Sequence, residues 1–149
     1  MMDWLFIMYT VSIAIQAGLF FIFSNTIMNV LKDYKMHEGR EVMVRINKEM
    51  QNPLFLAIFF SPLIIIIVSI IFHPSIFDRW VIISFITYFI GSLLVTILFN
   101  VPMNRRLDVN KNMENWNNYV RQWTLWNHVR TISSVLALIA IMIRETPLI

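Results

Sequence analysis

Four apolar stretches with few charged side chains restrict the fold of this chain more than any other feature. The clearest runs from Pro53 to Phe72 without a single charged residue. A helix of about 20 apolar residues matches the thickness of the hydrocarbon core of a bilayer. Only 14% of the residues are charged, against about a quarter in an average soluble domain. The sequence therefore predicts an integral membrane protein, with the lipid bilayer as its first partner.

The order and spacing of these stretches predict the architecture. We expect a single domain over residues 1–149, with spans at about residues 4–31, 53–72, 80–99 and 129–144. Four such spans favour an all-α, antiparallel four-helix bundle with both termini on one side. Residues 32–52 keep a helical apolar period and predict an amphipathic helix, although a solvated connector explains them equally well. The fourth helix is expected to extend well beyond its span.

The distribution of basic residues predicts the orientation. The two long connections, residues 32–52 and 100–128, share one side of the bundle and carry Lys32, Lys35, Arg40, Arg45, Lys48, Arg105, Arg106, Lys111 and Arg121. The opposite side has Arg79 and Arg144. The positive-inside rule then places both connections in the cytoplasm and both termini outside the cell membrane.

Two helix faces are expected to pack inside the bundle. In the third span, four polar residues follow at four-residue steps: Tyr88, Ser92, Thr96 and Asn100. In the first span, one face combines small residues with others: Thr10, Ala14, Ala17, Phe21, Asn25 and Met28. Small residues let membrane helices approach closely, so this face is predicted to be an interhelical contact.

The fourth helix carries the densest group of chemically informative residues. At 3.6 residues per turn, one stripe contains Trp116, Val120, Trp123, Asn127, Arg130 and Ser134, and Ile141 continues it. His128 lies off this stripe.

Several classes of function are disfavoured by what the sequence lacks. There is no cysteine, and no Asp or Glu lies within a predicted span. Thiolate metal sites, iron–sulfur clusters and di-iron carboxylate sites are therefore not expected. The three histidines, His37, His73 and His128, lack metal-ligand spacing. A net charge of +3 gives no indication of a nucleic-acid surface. We thus predict no metal, no cofactor and no nucleic-acid partner.

Polar residues at the cytoplasmic ends of the predicted helices form the candidate site. Asn25, Asn47, Asn100 and Asn104 are expected to converge there with Trp123, Asn127 and Arg130. Asparagine offers both a donor and an acceptor, and a permanent arginine cation near a low-dielectric edge can hold a phenolate or enolate. This combination suits a flat, lipophilic, weakly acidic ligand that enters from the membrane. The alternatives are asparagines that cap helices, tryptophans that anchor at the interface, and an Arg130 that pairs with lipid phosphate or with carboxylates on the side of Glu114.

Four motifs resemble a known family. They are A-G-L-F-F-I-F-S-N-T-I-M from Ala17, N-P-L-F from Asn52, F-N-V-P-M-N from Phe99 and W-x2-Y-x3-W-T-x-W-N-H-V-R-T from Trp116. They are similar to the anthrone oxygenase-like family of small four-helix membrane proteins, which includes the fungal anthrone oxygenases. The resemblance implies an oxygenase that converts an anthrone to an anthraquinone with dioxygen and needs no obvious metal or flavin. The positions that match the family pattern are Asn25, Met28, Asn47, Asn100, Pro102, Asn104, Trp116, Trp123, Asn127, His128 and Arg130.

Two hypotheses of function follow. In the first, the protein is a cofactor-free oxygenase: His128 or a bound water removes a proton, while Arg130 and Asn127 stabilise the anion. The substrate-binding candidates are then Asn25, Met28, Asn47, Asn100, Asn104, Trp116 and Trp123. In the second, the protein is not an enzyme and binds a lipid, a quinone or a partner helix. A small transporter is disfavoured because the spans lack carboxylates.

Overall fold

The computed structural model describes residues 4–72, 74, 77–109 and 115–146, and these residues are all-helical with no strand. Five helices are present in the described part: α1 Trp4–Lys32, α2 Met36–Glu49, α3 Pro53–Phe72, α4 Arg79–Val109 and α5 Trp116–Glu145. Four of them, α1, α3, α4 and α5, are long and apolar enough to cross a membrane. The predicted all-α, four-span fold class is thereby confirmed.

Helix α2 is amphipathic and packs against the ends of the longer helices. It buries Gly39 and Met43 and leaves its charged side chains exposed, except for the half-buried Arg40. Of the two readings of residues 32–52, the structure supports the amphipathic helix rather than the solvated connector.

Segment 100–128, predicted as a connection, is helical wherever it is described, except at Asn115, which caps the start of α5. Helix α4 continues through Pro102 to Val109, and α5 begins at Trp116; residues 110–114 lie outside the described residues. A π-helical turn, Thr96–Asn100, directly precedes this proline region. Local π-helical geometry can satisfy the backbone groups that a proline leaves free, which is how membrane helices tolerate proline. The limits of the spans relative to a bilayer stay predictions.

The helices pack in the order α3, α1, α5, α4. Helix α1 lies between α3 and α5, and α5 lies between α1 and α4. Early residues of α1 meet late residues of α5, as when Arg144 lies over the Phe6 ring while Arg130 lies over the Phe20 ring. These two helices therefore run antiparallel, as the sequence predicts.

Of the two predicted packing faces, the one on α4 is correct. The one on α1 is correct only in part, since Ala17 and Met28 are buried. On α4, Tyr88, Ser92 and Asn100 are buried, as predicted. On α1, the predicted face fails at Phe21, which is half exposed, and at two further members, Ala14 and Asn25. The face that α1 buries instead includes Phe6, Tyr9, Ile13, Gln16 and Phe20.

Candidate functional site

A cavity of about 470 Å³ lies at the charged end of the bundle and takes residues from all five helices. Its walls are mostly apolar and aromatic, and include Phe20 and Phe23 of α1, Phe55, Phe59 and Phe60 of α3, and Trp123 of α5. Its polar lining consists of Asn47, Thr96, Asn100, Asn104 and Arg130, and its mouth carries Lys48, Gln51, Arg105 and Asp108. Ligand sites typically combine a large apolar wall with a few fixed polar groups.

Arg130 places a buried cation in the wall of this cavity. The residue is only 6% exposed, and its guanidinium lies 4.3 Å from the Phe20 ring centroid and 5.2 Å from the Trp123 ring centroid. Nη1 donates to Thr96 Oγ1 at 3.2 Å, and Nη2 donates to Asn127 Oδ1. Nε is buried without a hydrogen-bond partner, and no carboxylate pairs with Arg130 among the described residues. A buried charge without a counter-ion is costly, so this cation is set to attract an anion.

Asn127 fixes the orientation of that arginine. Its Nδ2 donates to the Phe20 carbonyl at 2.7 Å and to Ser24 Oγ at 2.6 Å. Both donors are therefore used on α1, and the amide oxygen must face Arg130. The π-helical turn Phe23–Ile27 in α1 contains Ser24, so this irregular backbone stands beside the site. Such π-helical turns occur frequently at functional sites.

Three asparagines add directed polar atoms to the cavity. Asn104 Oδ1 accepts from Tyr119 Oη at 3.0 Å and from Trp123 Nε1 at 2.7 Å, which leaves Nδ2 as its remaining donor. Asn100 Nδ2 reaches the Trp123 carbonyl at 3.4 Å, while its Oδ1 is buried without a partner. Asn47 Nδ2 is also buried without a partner. Buried polar groups normally have partners, so this wall of the cavity holds polar atoms that the described residues do not satisfy.

Helix α2 covers the cavity and is anchored at two points. Arg40 Nε donates to the Leu107 carbonyl at 2.9 Å and Nη2 to the Asp108 carbonyl at 2.8 Å, near the end of α4. Gly39 lies against Trp116, and an added Cβ would come within 2.6 Å of that ring. Trp116 Nε1 in turn donates to the Leu31 carbonyl at 3.1 Å. The positions of Asn47 and Lys48 over the cavity depend on these contacts.

The structure brings together some of the predicted site residues and separates others. Five of them line the cavity: Asn47, Asn100, Asn104, Trp123 and Arg130. Asn127 lies directly behind Arg130. Met28 and Trp116 are buried beside the cavity, in the apolar cluster between α1, α2, α4 and α5. Asn25 and His128 are exposed and do not line it. His128 follows Asn127 by one residue and so points away from the buried stripe, which leaves no direct geometric basis for its predicted role as a base.

Other lining residues were not anticipated from the sequence. Phe55, Phe59 and Phe60 supply most of the α3 wall, and Asp108 supplies a carboxylate at the mouth. Phe55 belongs to the N-P-L-F motif, and the four-residue step to Phe59 puts both rings on one face, where their centroids are 5.9 Å apart. No motif or helical spacing in the sequence pointed to Asp108. No group of three or more His, Cys, Asp or Glu residues that could hold a metal is found in the described part of the chain.

The fold and the site together define a small helical protein with four helices of membrane-spanning length and an apolar cavity that contains a buried cation. Residues 43–140 match the sequence model of the anthrone oxygenase family, and the chain belongs to that family. The resemblance inferred from the four motifs is thereby confirmed. No curated protein and no solved structure matches the chain significantly.

Proposed function

We propose that this protein is a cofactor-independent oxygenase that acts on a lipophilic, weakly acidic aromatic compound of the anthrone type. The observation that carries the proposal is Arg130: a buried guanidinium without a carboxylate partner in the described chain, in the wall of an aromatic cavity. Such a cation stabilises negative charge on a substrate oxygen far more in a water-poor site than it would in water.

The reaction balances without a reductant. Loss of a proton from the ring CH2 of an anthrone gives a delocalised anion whose oxygen lies at Arg130. The carbanion transfers electrons to dioxygen and forms a C–O bond, which gives a hydroperoxide after protonation. Loss of water then converts this carbon to a carbonyl, so that CH2 and O2 become C=O and H2O. The carbon loses four electrons and the dioxygen gains four.

The proton is expected to leave to water at the mouth of the cavity. Of the described lining residues, Asp108 is the single carboxylate, and it is exposed and pairs with Lys48 at 3.8 Å. Asn47, Asn100 and Asn104 would form the polar part of the wall against which the substrate lies. A bound water is therefore the better of the two predicted bases.

Replacement of Arg130 tests the proposal. We expect Arg130→Met, which keeps most of the side-chain volume, to lower kcat for oxidation of an anthrone by at least about a hundredfold, as loss of one oxyanion donor does elsewhere. The readouts are dioxygen uptake and quinone absorbance in detergent, with Arg121→Met, an exposed arginine of the same helix, as control. A folded Arg130→Met variant with unchanged kcat would refute the proposal.

A second candidate is a non-enzymatic protein that holds a lipid or quinone in the same cavity. The unpartnered polar atoms favour a bound ligand under either function. Under the binding function, Asn100→Ala and Asn127→Ala would chiefly lower thermal stability; under the oxygenase function, they would chiefly lower turnover. Ligand binding without any dioxygen uptake would decide for the second candidate.

We further propose that the protein is a multi-pass protein of the cell membrane, with α2 and the cavity mouth in the cytoplasm and both termini outside. The basic residues at that end support this orientation. The chain has no cysteine, so single cysteines at Lys48 and Trp4 can be labelled without background. An impermeant maleimide applied to intact cells should label Trp4→Cys and spare Lys48→Cys; the reverse pattern would invert the orientation.

A further inference from the structure

The cavity lies in a gap between α3 and α4. On the side away from the gap, α3 is bonded to α1. Ser61 Oγ donates to Ser12 Oγ at 2.7 Å, and Gln16 Nε2 donates to the Ile58 carbonyl at 3.1 Å. Helix α4 packs along α5 instead of along α3. The two helices at the ends of the row, α3 and α4, therefore flank the cavity, and beside it they do not pack against each other.

One polar contact marks the end of the gap that lies farthest from the charged end. Tyr88 Oη of α4, whose one hydrogen goes to Gln16, lies 2.9 Å from the Phe59 carbonyl oxygen of α3. Farther from the charged end, side chains of α3 and α4 such as Ile65 and Val81 belong to one apolar cluster. Towards the charged end, the cavity takes the place of this packing.

The edges of the gap are apolar and face outward. Leu56 and Phe60 of α3, and Ile97 and Val101 of α4, line the cavity, yet each is 39–51% exposed. These four residues form what we call the lateral rim. The mouth between α2 and α4 is different, because there Lys48 and Asp108 form an exposed ion pair. The rim of the cavity is thus apolar between α3 and α4 and charged between α2 and α4.

We infer that the ligand enters the cavity sideways from the bilayer, between α3 and α4, and that Phe60 and Ile97 are the rim residues it passes. This inference rests on the proposed function, and it defines the ligand class more closely: a compound that partitions into the membrane in its neutral form. An ionised phenolate would have to leave water to pass an apolar rim, which is strongly unfavourable. The ligand therefore arrives protonated and becomes an anion only beside Arg130.

The absence of cysteine allows either opening to be closed selectively. The pair Phe60→Cys and Ile97→Cys, joined by a flexible bis-maleimide, closes the lateral rim. The pair Lys48→Cys and Asp108→Cys, joined in the same way, closes the charged mouth. The pair Ser12→Cys and Ser61→Cys joins α3 to α1 and serves as the control for cross-linking itself, because those two side chains already touch. Each cross-linked variant is compared with the same variant in which both cysteines are capped by a monofunctional maleimide.

The readout is the association rate of 1-hydroxyanthraquinone, a lipophilic phenol that dioxygen does not oxidise, measured in proteoliposomes by stopped-flow fluorescence quenching. We expect the lateral bridge to slow association at least tenfold and the mouth and control bridges to change it less than twofold. Slowing by the mouth bridge alone would overturn the inference and indicate entry from water. A protein that binds this quinone at a bridge-dependent rate but never consumes dioxygen with an anthrone would refute the oxygenase and leave the lateral entrance standing.

Discussion

Gln16 supplies to Ile58 the hydrogen bond that Pro62 cannot. In a regular helix the amide of residue 62 donates to the carbonyl of Ile58, but proline has no amide hydrogen. Gln16 Nε2 of α1 occupies that place, 3.1 Å from the carbonyl oxygen. Ser61 Oγ lies 2.9 Å from the same oxygen, but its one hydrogen goes to Ser12. Gln16 is fully buried, and its Oε1 also accepts from Tyr88 Oη at 2.8 Å. One amide side chain therefore joins α1, α3 and α4 just beyond the cavity.

The coupling between Gln16 and Pro62 can be measured directly. We expect Gln16→Leu to lower stability by about 1–3 kcal/mol, because it leaves buried polar groups without a partner. In a Pro62→Ala background, Ile58 regains a backbone donor, and the cost of Gln16→Leu should fall by about 1 kcal/mol. Reversible unfolding in mixed detergent of wild type, both single variants and the double variant gives this difference. Loss of the Tyr88 hydrogen bond to Gln16 occurs in both backgrounds and therefore cancels. Equal costs in the two backgrounds would show that Gln16 does not compensate for the proline.

Gly91 should be the glycine that tolerates alanine least between α4 and α5. A Cβ at Gly91 would lie 1.9 Å from Ser133 Oγ and 2.4 Å from Ser133 Cβ, so the helices would have to move apart. We expect Gly91→Ala to cost about 1–3 kcal/mol, as overpacking does in other cores. Gly18→Ala is the matched control, since nothing lies within 4 Å of its added Cβ, and it should not lower the thermal midpoint.

A rescue experiment separates overpacking from other effects at Gly91. Because the clash is with the Ser133 side chain alone, Ser133→Gly combined with Gly91→Ala should recover part of the lost midpoint. A double variant no more stable than Gly91→Ala would show that the loss has another origin.

The buried stripe of α5 could be predicted from sequence because that helix is regular and polar residues mark its faces. Trp116, Val120, Trp123, Asn127 and Arg130 are all buried, whereas His128 beside them is exposed. A period of 3.6 residues per turn is sufficient to predict the buried face of a helix when the backbone keeps that period throughout. It also helps that tryptophan, asparagine and arginine alternate with exposed residues.

The face of α1 could not be predicted in the same way. This helix is apolar almost all round, so hydrophobicity does not distinguish a lipid-facing side from a buried one. In addition, the π-helical turn Phe23–Ile27 changes the register, so that Ser24 is buried and Asn25 is exposed. The contacts of Asn127 could not be predicted from the sequence either. Its partners Phe20 and Ser24 lie on α1, more than 100 residues earlier in the chain, so no local pattern indicates them.

At the end of the bundle opposite the cavity, Asp78 should make stability depend on pH. Partial burial raises the pKa of this carboxyl, but the hydrogen bond from Arg144 and those from the amides of Val81 and Trp80 outweigh it and hold the pKa below its ordinary value of 3.8. A group with a lowered folded-state pKa contributes stability above the unfolded pKa and loses it as the pH falls towards the folded pKa. The difference in thermal midpoint between wild type and Asp78→Asn should therefore be constant above about pH 5 and shrink below about pH 4.

The matched variant for this effect is Asp108→Asn, an exposed carboxylate at the other end of the bundle with an ion-pair distance of 3.8 Å. Exposed pairs of this kind contribute little to stability. Its midpoint should follow that of wild type across the same pH range. A pH-independent difference for Asp78→Asn would mean that Asp78 acts only as the cap of α4, through the Trp80 and Val81 amides.

Asn127→Asp should cancel the anion-binding property of the cavity. The new carboxylate would lie on Arg130 Nη2 and neutralise the cation that wild-type Asn127 only orients. We expect the Kd of an ionised phenolate ligand to rise at least tenfold, or about 1.4 kcal/mol, while the Kd of its methyl ether changes less than about threefold. Ligand titrations followed by tryptophan fluorescence in detergent give both constants. Asn117→Asp, which adds the same charge at an exposed position of the same helix, should leave both unchanged.

A milder variant keeps this test decisive if Asn127→Asp folds poorly. Ser24→Ala removes one of the two α1 groups that accept from Asn127 Nδ2 and leaves the Phe20 carbonyl in place. The looser amide should hold Arg130 less firmly, so phenolate affinity should fall a few-fold with no loss for the methyl ether. An equal loss of affinity for the phenolate and the methyl ether would indicate that the variant changes the shape of the cavity and not its interaction with the ligand's charge. Unchanged phenolate binding in both variants would show that Arg130 does not meet the ligand anion.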